Sequence, residues 1–267
     1  MSETIAHDRE LDQAYQRIAS DPRYAHFINI PERIIRCLDY FGIACDRTEV
    51  RQRLRAYYLF IGVADEAIDA GKIEMGEHIL ARFHDRVPSF DQRTSRVGVA
   101  TEVLKQNIGD EIYPAILTIL DELYRAVVTE RKAGSIAAYI EQRKIVGSLT
   151  AELSYLLIRP FLDRDDRDLR TFLRSVGAVG CLVDSVIDLR ADTRLGLVSF
   201  KATIGDFLIL LATTASEGIS VSMRHPALLG VFLEAVSDNV RDRSRVGSQP
   251  APRFIASPGK DGVPSVV

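Results

Sequence analysis

The sequence predicts an all-α protein, and three observations support this expectation. Apolar residues recur at helical spacing along almost all of the 267 residues, and no segment shows the alternation of period two that is typical of strands. Proline and glycine fall between the periodic segments, where they begin and end helices. The connections are short, so the helices should pack as an antiparallel bundle around a shared interior.

This punctuation divides the chain into ten predicted helices. Pro31 and Pro226 should each lie in the first turn of a helix. Gly71, Gly134 and Gly196 should each follow the end of one. The predicted helices span residues 9–19, 31–42, 48–70, 74–85, 94–107, 111–132, 136–157, 167–191, 204–216 and 226–243.

Residues 1–243 should form a single domain, because neither an internal repeat nor a change of composition divides them. Residues 244–267 read SRVGSQPAPRFIASPGKDGVPSVV, which is rich in Ser, Gly and Pro and lacks a helical period. Such a composition cannot bury enough apolar surface to offset the entropy of ordering it. A disordered tail is therefore expected there.

The composition excludes several classes of protein. A hydrophobic fraction of 46% and a charged fraction of 27% are typical of globular domains. With 34 basic and 37 acidic residues the formal charge is -3, so no basic excess points to nucleic acid. Three scattered cysteines predict free, buried thiols in a reducing, cytoplasmic setting. The start of the chain lacks a signal-peptide core, and the apolar run YYLFIGVA is too short to be a transmembrane segment.

Two predicted helices carry carboxylates in line with their apolar faces. The apolar stripe through Tyr58 and Ile61 meets Asp65 at the same helical spacing. One turn further it reaches either Ile68 or Asp69. On the other helix, a face of small and apolar residues leads to three acids spaced at i, i+4 and i+8, which are Asp184, Asp188 and Asp192.

Carboxylates in such positions require a compensating partner. Like charges four residues apart destabilise a helix by roughly 0.2–0.5 kcal/mol per pair, and burial raises the cost. Mg²⁺ is commonly held by one or two carboxylates together with phosphate oxygens. Two acid clusters facing each other across a bundle would hold a diphosphate through bridging ions. The alternative is that both clusters are solvated helix faces, with Arg190 and Arg194 in surface ion pairs.

A third helix places an arginine in an apolar row. The segment YIEQRKIVGSLTAELSYLL aligns Tyr139, Arg143 and Gly147 on one face, together with Thr150 and Ser154. A planar, permanently charged guanidinium suits bidentate contact with phosphate, so Arg143 is a candidate diphosphate donor. The alternative is that its charged end reaches the surface.

At these residues the sequence resembles class I isoprenoid synthases, the superfamily of terpene cyclases and squalene/phytoene synthases. The segment DEAID at 65–69 is similar to the first aspartate-rich motif, either as DDxxD with glutamate in second place or as the DxxxD of the squalene/phytoene branch. The three acids of the second cluster have the spacing of the second metal motif. The run DTRLG at 192–196 resembles the squalene/phytoene form, in which a basic residue and a glycine follow.

The third helix resembles the cyclase stretch in which an arginine senses diphosphate and a glycine four residues later lies at a helix break. Arg143 and Gly147 occupy those two positions, and Tyr139 precedes them. Two features of the superfamily are absent from the sequence. No serine-rich, Phe-containing segment near the start matches the one in squalene/phytoene synthases, and no Arg-Tyr pair closes the carboxy-terminal region.

The resemblance implies a helical bundle around a deep apolar active-site cavity, with three Mg²⁺ ions that join the acid motifs to the substrate diphosphate. Asp65 and Asp69 would bind two of the ions, and Asp184, Asp188 and Asp192 would bind the third. These five acids and Arg143 would be catalytic. Arg143 would also contact the substrate. The other substrate contacts would be Gly147, Tyr58, Tyr139 and Arg194.

The expected function is that of a magnesium-dependent terpene synthase, a lyase that ionises a C15 or C20 prenyl diphosphate and cyclises or quenches the cation. One alternative is a squalene/phytoene synthase-like transferase that joins two prenyl chains head to head. Another is a helical binding or scaffold protein without turnover. The expected partner is a prenyl diphosphate, with no nucleic acid and no transmembrane segment, and a homodimer is left open.

Overall fold

The computed structural model describes residues 2–69, 74–85 and 95–246, and within these ranges the chain is mostly α-helical. The same ranges contain no strand, only an isolated bridge between Cys45 and Leu162. The all-α prediction is therefore confirmed. The helices are α1 (Ser2–Ala19), α2 (Ala25–Tyr40), α3 (Arg47–Asp69), α4 (Glu74–Asp85), α5 (Arg96–Gln106), α6 (Tyr113–Arg131), α7 (Ile136–Ile158), α8 (Arg167–Leu195), α9 (Ile204–Arg224) and α10 (Leu229–Val246).

Explicit caps mark the ends of two helices, although α8 extends to Leu195, four residues beyond its predicted end. Gly196 follows α8 in the left-handed conformation with φ of 71°, as its predicted role as a stop requires. Thr203 and Asp206 form a capping box at the start of α9. Without such a signal the predicted ends fall short, because α9 continues from the predicted residue 216 to Arg224. α10 continues past 243 to Val246, and the rest of the predicted tail lies outside the described residues.

The predicted start of α2 is wrong. Pro31 lies inside this helix, which begins at Ala25. Proline in a helix interior removes one backbone hydrogen bond. The turn that precedes it brings Phe27 and Ile30 against the hydrophobic core, and this burial favours the helical conformation despite the lost bond.

α7 occupies the centre of the bundle and contacts α3, α6, α8 and α9. α6, α7 and α8 follow one another in the chain after short connections and pack side by side, so neighbours run antiparallel. The core around them is built from large side chains that are almost fully buried, among them Leu54, Tyr57, Leu59, Leu153, Tyr155 and Leu157.

α7 and α8 meet backbone to backbone at two glycines. A Cβ atom on Gly147 would lie 2.2 Å from the carbonyl oxygen of Gly177, and one on Gly177 would lie 2.3 Å from that of Gly147. α7 runs unbroken through this point, so the helix break that the resemblance implied at Gly147 is wrong. The physical reason for this glycine is the close approach of the two helices.

Gly147→Ala is expected to lower the free energy of unfolding by about 3 kcal/mol, the upper end of the usual cost of overpacking, because the clash is with backbone. Gly180→Ala on α8 is the matched control, since no atom lies within 4 Å of the added methyl group. The control should gain about 0.5–1 kcal/mol from helix propensity. Urea denaturation measures both, and a Gly147→Ala variant as stable as wild type would argue against the direct contact.

Among the described helices, α9 is the one whose length and hydropathy would suffice to cross a bilayer, with 17% of its most apolar window buried. One side of α9 nevertheless packs on α8 through Leu210, Thr214, Gly218 and Val221. The described residues therefore provide no clear transmembrane segment.

Candidate active site

A cavity of about 360 Å³ lies among α2, α3, α6, α7, α8 and α10. Its volume falls within the range of roughly 300–1,000 Å³ that ligand pockets occupy. Most of the wall is apolar, and helices from both halves of the chain contribute to it.

The three helix faces singled out in the sequence all line this cavity. α3 contributes Tyr58, Ile61 and Asp65. α7 contributes the whole predicted row, which consists of Tyr139, Arg143, Val146, Gly147, Thr150 and Ser154. α8 contributes its small and apolar residues and all three acids of the second cluster, Asp184, Asp188 and Asp192.

Seven charged residues of α3, α6, α7 and α8 gather at one end of the cavity, and Arg33 of α2, which pairs with Asp238 at 2.6 Å, also lines it. α8 runs from Leu173 in the apolar wall to Asp192, a distance of about 28 Å at the helical rise per residue. Asp65 and Glu130 act electrostatically on Asp192, which places the ends of α3, α6 and α8 together. Asp65 is exposed and Asp192 is half-buried, so this acidic end opens to solvent.

Arg143 crosses the acidic end with its guanidinium mostly buried. Its Nε donates to Ser185 Oγ at 2.8 Å, and Nη2 donates to the Cys181 carbonyl at 3.3 Å. Nη1 donates to a carboxylate oxygen of Glu130 at 3.3 Å. With a side chain only 20% exposed, Arg143 faces the cavity, and the alternative that it extends to the surface is wrong.

Arg194 is the predicted substrate contact that the structure does not bring to the cavity. Its side chain is exposed, and Nε donates to the backbone carbonyl of Arg190. Two residues beyond Asp192 on the same helix, it points to the far side, because positions i and i+2 do not share a face. Arg194 therefore does not join the other predicted substrate contacts at this cavity.

Glu66, the second acid of the segment DEAID, is engaged away from the cavity. Glu66 accepts hydrogen bonds from the Tyr24 hydroxyl and the Arg23 guanidinium, and it is not among the residues that line the cavity. Glu66 therefore does not join Asp65 at the acidic end. The side chain of Asp69, at the end of α3, lies outside the described part of the chain.

Sequence reasoning missed Glu130 and Arg131, which line the cavity from the end of α6. Arg131 also donates to the Ile68 carbonyl at 3.1 Å and so joins the ends of α6 and α3. A signal was available, because the apolar stripe of α6 reaches Glu130 at helical spacing. That stripe passes through Ile116, Leu120, Leu123 and Val127.

Two tyrosines present hydroxyl groups beside the cavity. Tyr58 and Ser154 share a hydrogen bond of 2.9 Å, and the Tyr139 hydroxyl donates to Ser185 Oγ at 3.2 Å. Burial raises the pKa of Tyr58 to about 12 and that of Tyr139 to about 12. Both phenols therefore stay neutral at physiological pH.

The donor chemistry of the acidic end fits Mg²⁺. Within the described residues, no group of three or more His, Cys, Asp and Glu side chains is arranged to hold a metal. Magnesium usually keeps several waters and takes one or two carboxylates plus phosphate oxygens. The aspartates around the cavity are consistent with ions bound jointly with an anionic ligand rather than in a protein-only cage.

Burial raises the pKa of Asp192, with Asp65 and Glu130 adding to the effect and Arg143 opposing it. The carboxyl group of Asp192 therefore stays protonated to a higher pH in the folded protein than in the unfolded chain. The free energy of unfolding falls as the pH rises from the unfolded pKa of this group to its folded pKa. Asp192→Asn is expected to unfold at a higher temperature than wild type at pH 8 without metal. The difference should disappear below the unfolded pKa of about 4. Equal unfolding temperatures at pH 8 would contradict the shift.

Comparisons of this chain with protein-family models, curated proteins and solved structures gave no match.

Proposed function

We propose that this chain is a magnesium-dependent class I terpene synthase that ionises one prenyl diphosphate of 15 or 20 carbons and cyclises or quenches the resulting cation. The observation that carries the proposal is the composition of a single cavity. Aspartates from α3 and α8 and the buried Arg143 occupy one end, and most of the remaining wall is apolar, with Arg33 held in an ion pair with Asp238. A ligand with an anionic head and a long apolar tail matches this division.

The residues of the chain have distinct tasks in the proposed reaction. The N–H groups of Arg143 that Ser185, Glu130 and Cys181 do not use would donate to the diphosphate as negative charge develops on it. Magnesium held by Asp65 and the acids of α8 would supply further neutralisation of that charge. The apolar wall would exclude water from the allylic cation, and the ring faces of Tyr58 and Tyr139 would stabilise it.

Incubation with farnesyl or geranylgeranyl diphosphate tests the proposal. Purified chain with Mg²⁺ should release diphosphate and form hydrocarbons or alcohols that keep the carbon number of the substrate. Chelation of the metal should stop both. Failure to release diphosphate from either substrate, in protein shown to be folded by circular dichroism, would reject it.

One observation favours a second candidate, a squalene/phytoene synthase-like transferase. Because Glu66 is engaged by Tyr24 and Arg23, the first motif retains the DxxxD spacing of that branch. The same incubation separates the two activities, since head-to-head condensation doubles the carbon number of the product. A scaffold without turnover would form neither product.

A further inference from the structure

α9 exposes an uncharged, mostly apolar surface on the side opposite α8, and Ser222 is a polar residue within it by helical spacing. The apolar residues of this surface lie within one arc of the helix, and we refer to them as the α9 outer face. They are Ile204, Leu208, Leu211, Ala212, Ala215, Ile219 and Met223. The ends of the face are the most exposed, with Ile204 at 76% and Met223 at 77% of their full accessibility.

No charged residue interrupts the α9 outer face. The charged side chains within the helix, Asp206, Glu217 and Arg224, fall on the other side of it by helical spacing. Glu217 confirms this placement, because it accepts a salt bridge of 2.8 Å from Lys144 of α7. A second uncharged surface can therefore cover the outer face without burying an unpaired charge.

The area of the outer face matches one side of a stable interface. Its exposed side chains present on the order of 700 Å² of apolar surface, more than the 300–600 Å² of the largest patch on a typical monomer. Each partner in a standard interface contributes roughly 800 Å². The face is thus large enough for one specific partner of similar shape.

The order of side chains along the face identifies that partner. Six of the seven residues form pairs about the point midway between Thr213 and Thr214, with large residues at both ends and alanines at the centre, whereas the counterpart of Leu211 is Ser216. If a second copy of α9 lies antiparallel on this point, Ile204 meets Met223 of that copy and Leu208 meets its Ile219. Ala212 meets Ala215 at the two-fold axis, where the backbones approach most closely.

We propose that the α9 outer face is the interface of a homodimer in which the α9 helices of two copies pack antiparallel about a two-fold axis. The face is less suited to a lipid surface. Membrane-surface helices carry Lys or Arg around the apolar side and are anchored by aromatic residues such as Trp, whereas this arc has no basic residue and the chain has no Trp.

Sedimentation equilibrium of the full chain tests this interface. Wild type should have twice the monomer mass of 29.8 kDa at micromolar concentration. Leu208→Glu should weaken dimerisation by about 100-fold, because it buries a charge against Ile219 of the other copy. Ile145→Glu is the matched control, since Ile145 is exposed at 43% on α7 and lies outside the face. It should leave the dimer intact.

A paired variant tests the antiparallel register directly. In the variant that combines Leu208→Glu with Ile219→Lys, position 208 of each copy faces position 219 of the other copy, so two pairs of opposite charges form across the interface. This variant should recover most of the lost dimer affinity at low salt. Circular dichroism should show wild-type helix content for every variant, because these side chains are exposed. A monomeric wild type, a dimer that tolerates Leu208→Glu, or a double variant no tighter than the single one would each overturn the proposal. Leu208-dependent binding to neutral phosphatidylcholine vesicles by a monomer would overturn it in favour of a lipid surface.

Discussion

Asp65→Asn or Asp188→Asn is expected to lower magnesium-dependent turnover of farnesyl diphosphate by about 1,000-fold. Each carboxylate lines the acidic end of the cavity from a different helix, and asparagine keeps its size while removing the charge that attracts the metal. A loss of this size corresponds to roughly 4 kcal/mol of transition-state stabilisation. Steady-state release of diphosphate measures it, with circular dichroism as the check on folding.

The neighbouring Glu66 provides the matched control for this prediction. Glu66→Gln removes the same charge one residue further along α3, but this side chain is engaged by Tyr24 and Arg23 rather than by the cavity. Turnover should therefore stay within a factor of about three of wild type, an effect smaller than 1 kcal/mol. If Asp65→Asn retained full activity, or Glu66→Gln lost as much as Asp65→Asn, the assignment of the metal ligands would be wrong.

Arg143→Met is expected to have two separable effects. It leaves the Glu130 carboxylate mostly buried without its guanidinium partner, which should lower the free energy of unfolding by about 3 kcal/mol. It also removes charged donors from the diphosphate, which should weaken binding of inorganic diphosphate with Mg²⁺ by about 10- to 100-fold. Chemical denaturation and calorimetry measure the two effects independently.

A double variant distinguishes a binding role for Arg143 from a purely structural one. Glu130→Leu added to Arg143→Met replaces the whole ion pair by apolar groups and should restore most of the stability. Ser185 keeps its own hydrogen bond to the Cys181 carbonyl at 2.9 Å, so no new buried donor is left unpaired. Binding of diphosphate should stay weak. Recovery of diphosphate affinity along with stability would show that Arg143 serves the fold alone. Arg194→Met is the control and should change neither the affinity for diphosphate nor the free energy of unfolding.

The part of the cavity lining that α3, α7 and α8 contribute can be predicted from the sequence, because each of these helices shows its inner face as a periodic stripe. The stripes through Tyr58, Arg143 and Cys181 all line the same cavity. Periodicity assigns residues to a face of a helix, and the packing of that face then decides what they meet. Periodicity alone is therefore enough to place each row on one face, whereas a cavity that joins the rows is implied only by the resemblance.

Other features could not be predicted because they depend on contacts between helices. Glu130 continues the apolar stripe of α6, but this stripe does not show that the carboxylate meets Arg143 of α7. Gly147 meets Gly177 on α8, and a sequence does not distinguish a glycine that permits close packing from one that breaks a helix. Glu66 accepts a hydrogen bond from Tyr24 instead of facing the cavity. This contact depends on where the chain just before α2 lies against α3.

Calorimetric titration with a farnesyl thiolodiphosphate, in which sulfur replaces the scissile oxygen, tests the central claim most directly because it requires no turnover. In millimolar Mg²⁺ the chain should bind one analogue molecule per active site, about 100-fold more tightly than in the presence of a chelator. Asp188→Asn should abolish that dependence on the metal. Equal affinity with and without Mg²⁺, or no binding of the analogue to the folded wild-type chain, would contradict a metal-assisted diphosphate site at the acidic end of the cavity.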